Sequence, residues 1–267
     1  MAEFKLQDII ADMDDVGQRM WLIGASEGAA GNISVFVREL DGFIDGMADQ
    51  GVIQLPVEVP ALANGWVVVS SAGRRVRDIA RTSAIVLSLL QIDEQGTHAT
   101  LYTAPGGRPT SELNSHLAIH NDHVGRRSLH YHAVVHAQPL RLTFLSHIER
   151  YADTRSLNAR LLRWQPETIV EFPEGIGVLP FQMPGSLEQT VVTVEGMRTH
   201  RAVVWRRHGI VTRADSSVGK AGDLVEYAEA AAQYEYLNLQ AGEPTAGLSD
   251  DDLRLICTRL KIEQTFF

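Results

Sequence analysis

The chain has 267 residues, enough for one large α/β domain or two small ones, and it is 45% hydrophobic and 21% charged, as a water-soluble globular protein is. A net charge of -9 argues against a nucleic-acid surface or an anionic membrane as partner, while the local cluster Arg74, Arg75, Arg77 and Arg81 leaves small anionic substrates open. The single cysteine, Cys257, excludes an internal disulfide and favours a reducing compartment. The first residues lack a basic segment followed by an apolar run, and no apolar stretch is long enough to span a bilayer, so a cytoplasmic protein is expected.

Residues 5–24 place Leu6, Ile9, Ile10, Met13, Met20 and Ile23 roughly on one helical face. The glycines at 28 and 31 break that helix, and residues 33–37 alternate as a strand. The span 41–65, rich in Gly, Asp and Pro, reads as irregular surface structure. Residues 66–70 predict a buried strand closed by a turn at 71–73, the run 85–92 ends at a turn at 94–96, and 98–103 predicts a further strand. Thr110 or Ser111 is a good N-cap for a helix carrying Leu113, Leu117 and Val124. A strand follows at His136, then a helix near 139–150, a helical or mixed stretch over 151–165, and a short strand at 169–172. The glycine-punctuated segment 173–180 reads as a turn before another strand. Ser186 caps a helix to about His200, the strand 202–205 leads to His208, a long helix covers 223–239, and Ser249 caps a last helix near 250–260. Strands and helices alternate throughout, with no repeat and no linker, so a layered α/β domain over 1–267 is expected.

Three segments carry metal-capable side chains in telling places. Ala133-Val134-Val135 leads into His136, Ala202-Val203-Val204-Trp205 leads toward His208, and Glu112 stands in the first turn of the expected helix, 24 residues before His136. Each alone has an ordinary reading, since acidic first turns are favoured by the helix dipole and a histidine at a strand end is commonly a structural hydrogen-bonding group. Together, two imidazoles and a carboxylate can hold a divalent metal with a coordination position open to substrate. Strand periodicity turns Gln138, and His132 if the strand reaches back, to the same side as His136. His130 with His132 is a rival pair. His116 and His120 have the i, i+4 spacing of a helical metal pair but lack a general-base glutamate between them. His98, His123, His147 and His200 read as surface or packing residues. The turns at Gly31-Asn32 and Ser71-Ala72-Gly73 could cradle a phosphate, although neither matches a nucleotide fingerprint.

These residues resemble the class II aldolase/adducin family over most of the chain. The resemblance runs through Gly31-Asn32-Ile33-Ser34, Ser71-Ala72-Gly73-Arg74, Pro109-Thr110-Ser111-Glu112-Leu113, Val134-Val135-His136-Ala137-Gln138, the segment 172–180, and Trp205-Arg206-Arg207-His208-Gly209. It implies a three-layer α/β/α fold with a central, mostly antiparallel sheet, and a homotetramer with active sites at subunit interfaces. It implies a divalent metal, Zn²⁺, held by His136, His208 and, at rest, Glu112. The implied activity is lyase cleavage of a ketose 1-phosphate such as L-rhamnulose 1-phosphate, through a metal-stabilised enediolate, to dihydroxyacetone phosphate and L-lactaldehyde. Glu112 is then the catalytic acid–base and Glu167 a second acidic residue reaching the active site. Asn32, Gly73 and Ser111, with Gly31 and Ser71 of the same turns, match substrate-phosphate positions.

The chain departs from that pattern at three places. Gln138 stands where the family has the second histidine of His-x-His; its carbonyl oxygen can ligate a metal but is harder and less basic than imidazole. Ala29 and Ala72 stand where phosphate-binding groups are expected. The alternatives are a related metal-dependent sugar epimerase or decarboxylase, an aldolase for an unphosphorylated substrate, or a non-catalytic adducin-like scaffold.

Overall fold

The computed structural model describes residues 4–267. Chain order begins with β1 (Phe4–Lys5), α1 (Leu6–Leu22), β2 (Asn32–Val37), β3 (Leu40–Asp41), β4 (Ala48–Gln54) and β5 (Trp66–Ser70). It continues with α2 (Ser83–Val86), β6 (Leu87–Ile92), β7 (His98–Thr103), α3 (Leu113–Arg127), β8 (Tyr131–Ala137), α4 (Leu140–Leu145), α5 (Thr154–Leu161) and α6 (Pro166–Glu171). It closes with β9 (Gly177–Leu179), α7 (Leu187–Met197), β10 (Ala202–Trp205), β11 (Gly209–Ala214), α8 (Val218–Gln240) and α9 (Asp250–Leu260).

Nine strands form one sheet in the order β4-β7-β6-β5-β2-β8-β11-β10-β9. Every neighbouring pair is antiparallel except β10 with β9. The central strands are buried on both faces because their side chains alternate between two apolar cores. Ile33, Val35 and Val37 of β2 and Ala133, Val135 and Ala137 of β8 join Met13, Val16 and Met20 of α1 and Val225 and Ala228 of α8 on one face. On the opposite face Phe36, Val67, Val69 and Leu90 meet Leu117 and Val124 of α3. Val134, Val203 and Val211 pack there with Met197 of α7. The expected three-layer α/β/α arrangement with a mostly antiparallel sheet is what the chain adopts. Among the described residues no helix is long and apolar enough to cross a membrane.

Four local expectations change. The span 41–65 contains β4, an almost wholly exposed edge strand with a bulge between Asp49 and Val52. Its polar sequence shows no alternation, and Gly51 at φ +87° supplies the irregularity. Residues 169–172 fall in and just after the helix α6 rather than a strand, because Pro166 stands in its first turn, where a fixed φ and a missing N–H favour helix. The strand leading toward His208 is a hairpin: β10 ends at Trp205 and β11 starts at Gly209. The N-cap of α3 is Glu112, not Thr110 or Ser111, and its carboxylate makes no cap bond; it is drawn to Asn32 instead.

Candidate metal centre

Three backbone segments meet at one end of β8. β8 carries His136, and β2 pairs with it so that Asn32 lies directly opposite His136. The turn between β10 and β11 presents His208, and the start of α3 presents Glu112. One ligand atom from each of Glu112, His136 and His208 lies within 4.8 Å of the other two. His136 Nε2 is 3.6 Å from Glu112 Oε2, and His208 Nε2 is 3.7 Å from Glu112 Oε1.

Glycine is what allows this approach. A Cβ on Gly209 would lie 2.3 Å from the Ala137 carbonyl oxygen and 3.0 Å from His136 Cε1. Gly31 has φ +80°, and a Cβ there would lie 2.9 Å from the His136 carbonyl oxygen. The turn before His208 is held from outside. Arg207 has φ +63°, its N–H donates to Ser146 Oγ at 2.8 Å, and Arg206 reaches Glu149 at 3.1 Å.

The electrostatics suit a cation. Burial works to raise the Glu112 pKa, but His136, the Asn32 N–H, His208 and His116 outweigh it and hold the carboxyl below its usual value. Burial, with His136 beside it and against the pull of Glu112, lowers His208 to about 4. An ionised carboxylate and a neutral imidazole are the forms that ligate metals. Glu112 Oε1 is buried with no hydrogen-bond donor, a cost that a bound cation would offset. His136 Nδ1 lies 3.0 Å from the Ile210 carbonyl oxygen, to which only a protonated Nδ1 can donate, so Nε2 is the ring nitrogen turned to Glu112. The donor set therefore fits a divalent metal.

A cavity of about 200 Å³ opens over this cluster. Its walls include Gly31, Asn32, Ser71, Gly73, Ser111, Glu112, His136, Gln138 and His208, together with Ala29 and Ala72. The candidate residues thus share one cavity, except Glu167, which is exposed on α6 and does not line it. Gln138 donates its backbone N–H to the Ala25 carbonyl at 2.8 Å. Ser71 Oγ shares a 2.8 Å hydrogen bond with Ser88 Oγ. Asn32 donates from Nδ2 to Glu112 Oε2 at 2.8 Å, and its Oδ1 meets His116 Nε2.

Several supporting contacts escape a sequence reading. Trp205 stacks on His208 with ring centres 5.2 Å apart and lies 4.8 Å from the His136 ring. Its own N–H donates to Thr193 Oγ1 at 2.7 Å. Gln189 accepts the Gly185 N–H at Oε1, which turns its amide nitrogen to His208 Nδ1 at 3.4 Å. The rival histidines His116, His120 and His132 are buried beneath the site and bond side chains there. His130 precedes β8. His123, expected at the surface or in packing, is buried against His132.

The profile of the Class II Aldolase and Adducin N-terminal domain matches residues 11–236, and the chain belongs to that family. The chain is similar to the rhamnulose-1-phosphate aldolase of Listeria innocua, 28% identical over 267 residues, covering 96% of this chain and 94% of that one. The enzyme of the same name from Bacteroides thetaiotaomicron is 27% identical and covers 90% of this chain and 89% of its own. A sugar-phosphate aldolase from Thermotoga maritima superposes with a TM-score of 0.75 at 29% identity, covering 91% of this chain and 99% of its own. An L-fuculose 1-phosphate aldolase shares the fold at 19% identity, with a TM-score of 0.60 over 96% of this chain and 97% of its own.

Proposed function

We propose that the protein is a metal-dependent aldolase that cleaves a ketose 1-phosphate, with L-rhamnulose 1-phosphate as the first substrate to test. The observation that carries this reading is the convergence of Glu112, His136 and His208, with an unpartnered Glu112 oxygen, in the wall of an open cavity. These three residues would hold the ion, Zn²⁺ being our proposal for an imidazole and carboxylate set, with the Gln138 carbonyl oxygen as a further donor. When bound, the ion supplies Lewis-acid polarisation of the ketose carbonyl.

The chain's own residues do the rest. The C3–C4 bond breaks with its electron pair left on C3, and the C4 hydroxyl passes its proton to Glu112 as it becomes the aldehyde. Glu112, ionised at neutral pH and so able to accept that proton, then delivers it to C3. Asn32, Gly31, Ser71, Gly73 and Ser111 surround the phosphate end. Glu167 serves as a second acid–base group, reaching the cavity of a neighbouring copy in a homotetramer; its exposure, away from its own cavity, supports that arrangement. We place the protein in the cytoplasm, in sugar catabolism.

The test is a retro-aldol assay on L-rhamnulose 1-phosphate with protein reconstituted in Zn²⁺, Mn²⁺ or Co²⁺. Release of dihydroxyacetone phosphate and L-lactaldehyde is expected; no turnover with any of the three ions would contradict the reading. Ala29 and Ala72 in the cavity wall favour one second reading, a related metal enzyme acting on an unphosphorylated sugar or sugar acid. Profiling phosphorylated against unphosphorylated substrates separates the two.

A further inference from the structure

Behind the candidate centre a buried chain of side chains leads from Glu112 and Asn32 to residues that the proposed reaction does not use. It starts at Glu112 and passes to Asn32 (2.8 Å), His116, Ser34 (2.6 Å), His120 (2.7 Å) and His132 (2.7 Å). All are buried. The fold assembles them from two periodicities. Asn32, Ser34 and Phe36 on β2 face the same way as His132, Val134 and His136 on β8, and the helix α3 lays His116 and His120 against that face.

The direction of every hydrogen bond follows from one end. Glu112 is an ionised carboxylate and can only accept, so Asn32 must turn its NH₂ to it and its carbonyl oxygen to His116. His116 Nε2 must then carry the proton, and in a neutral ring Nδ1 is an acceptor. Ser34 donates its only proton there, so His120 Nε2 must donate to Ser34. His120 Nδ1 is then an acceptor, and His132 must donate from Nδ1. Burial, which disfavours the imidazolium forms of His116, His120 and His132, keeps each ring neutral.

The far end shows which terminus sets the polarity. His132 Nε2 is left as a buried lone pair without a donor. It lies 3.9 Å from Asp215 Oδ1, itself an acceptor engaged by Arg127 at 2.8 Å. Reversing the chain would relieve this contact but would point the Asn32 carbonyl oxygen at the Glu112 carboxylate at 2.8 Å. The shorter distance decides between them, because charge repulsion grows as separation falls. We infer that Ser34, His116, His120 and His132 are positioning residues whose one-way hydrogen-bond chain locks the Asn32 amide with its N–H on Glu112. The chain fixes the carboxylate from behind and leaves its second oxygen, Oε1, for a ligand.

This inference rests on Glu112 being an ionised member of the candidate centre, but not on the identity of the substrate or on turnover. It is tested on the full chain labelled with ¹⁵N-histidine, by long-range ¹H–¹⁵N correlation at neutral pH, with single histidine substitutions for assignment. His116 and His120 are expected as Nε2–H tautomers and His132 as the less common Nδ1–H tautomer. In Glu112→Gln the charge that sets the polarity is gone, and the His132 signal should shift toward Nε2–H, paired with Asp215. An Nε2–H tautomer at His132 in the unsubstituted protein, or an unchanged His132 in Glu112→Gln, would overturn the inference. As a second readout, His120→Leu should weaken Zn²⁺ binding about tenfold in chelator competition, the usual scale for partners behind a ligand. His120→Gln, which keeps an N–H for Ser34, should restore it; equal affinity in all three proteins would also overturn the inference. Should His120→Leu not fold, the tautomers of the unsubstituted protein decide alone.

Discussion

Asn32 and His136 face each other directly across the β2–β8 ladder, and both reach Glu112: Asn32 through a 2.8 Å hydrogen bond and His136 at 3.6 Å. The sheet register therefore sets the position of the carboxylate as much as α3 does. Moving either strand by one residue would send one partner to the opposite face.

Removing that carboxylate should be costly in two ways. Glu112→Ala deletes a ligand and the proposed acid–base group together. Turnover is expected to fall by about 10²–10⁴, the usual contribution of a positioned acid–base group, measured as kcat under saturating metal. An unchanged rate would remove Glu112 from that role.

Gln138→His should tighten divalent-metal binding. Gln138, just past the end of β8, lines the same cavity as His136 and His208. An added imidazole is a better Zn²⁺ donor than an amide oxygen, so Kd should fall about tenfold or more. Chelator competition checks this.

Acid should destabilise the fold before its carboxylates are protonated. Burial holds His116 and His208 down at about 4 and His123 at about 3, and it pushes His120 and His132 well below 6.5. In the unfolded chain these groups take up protons near pH 6.5. Between pH 6.5 and 4 the unfolded state thus binds more protons. The stabilisation is complete above pH 6.5 and falls as pH drops, by about 1.4 kcal/mol per pH unit for each extra proton. Urea midpoints measured from pH 7.5 to 4.5 should fall steeply; a flat profile would mean that the native imidazoles are charged.

Gly209→Ala should destabilise the protein by about 2–4 kcal/mol, in the range of other backbone and overpacking clashes. The added Cβ meets the Ala137 carbonyl oxygen at 2.3 Å, so β8 and β11 must separate next to both histidines. Thermal unfolding measures the loss, and metal affinity should fall with it.

What the sequence reveals depends on how locally each feature is encoded. β2, β5, β8 and β10 announce themselves through apolar runs, and Ser186 and Ser249 each cap the helix that follows; α8 begins at Val218 behind Ser217, ahead of the expected start at 223. β4 is hidden because an exposed edge strand needs no apolar face. The hairpin at 202–214 is hidden because His208 occupies its turn, which reads as a continuation of the strand. Glu112, His136 and His208 are legible as ligand types at the ends of elements, and the structure brings all three together. The grip of Asn32 on Glu112 joins residues 80 positions apart and has no local signature. The spacings of His116, His120 and His132 suggest metal pairs in isolation; only packing against Ser34 shows their bonds to be to other side chains.

The central claim, that Glu112, His136 and His208 share one divalent cation, is tested most directly by anomalous diffraction at the zinc edge from crystals grown with Zn²⁺. The account predicts a single strong peak between these three side chains, within coordination distance of each. Zinc bound elsewhere, or no peak among the three in zinc-loaded crystals, would contradict it.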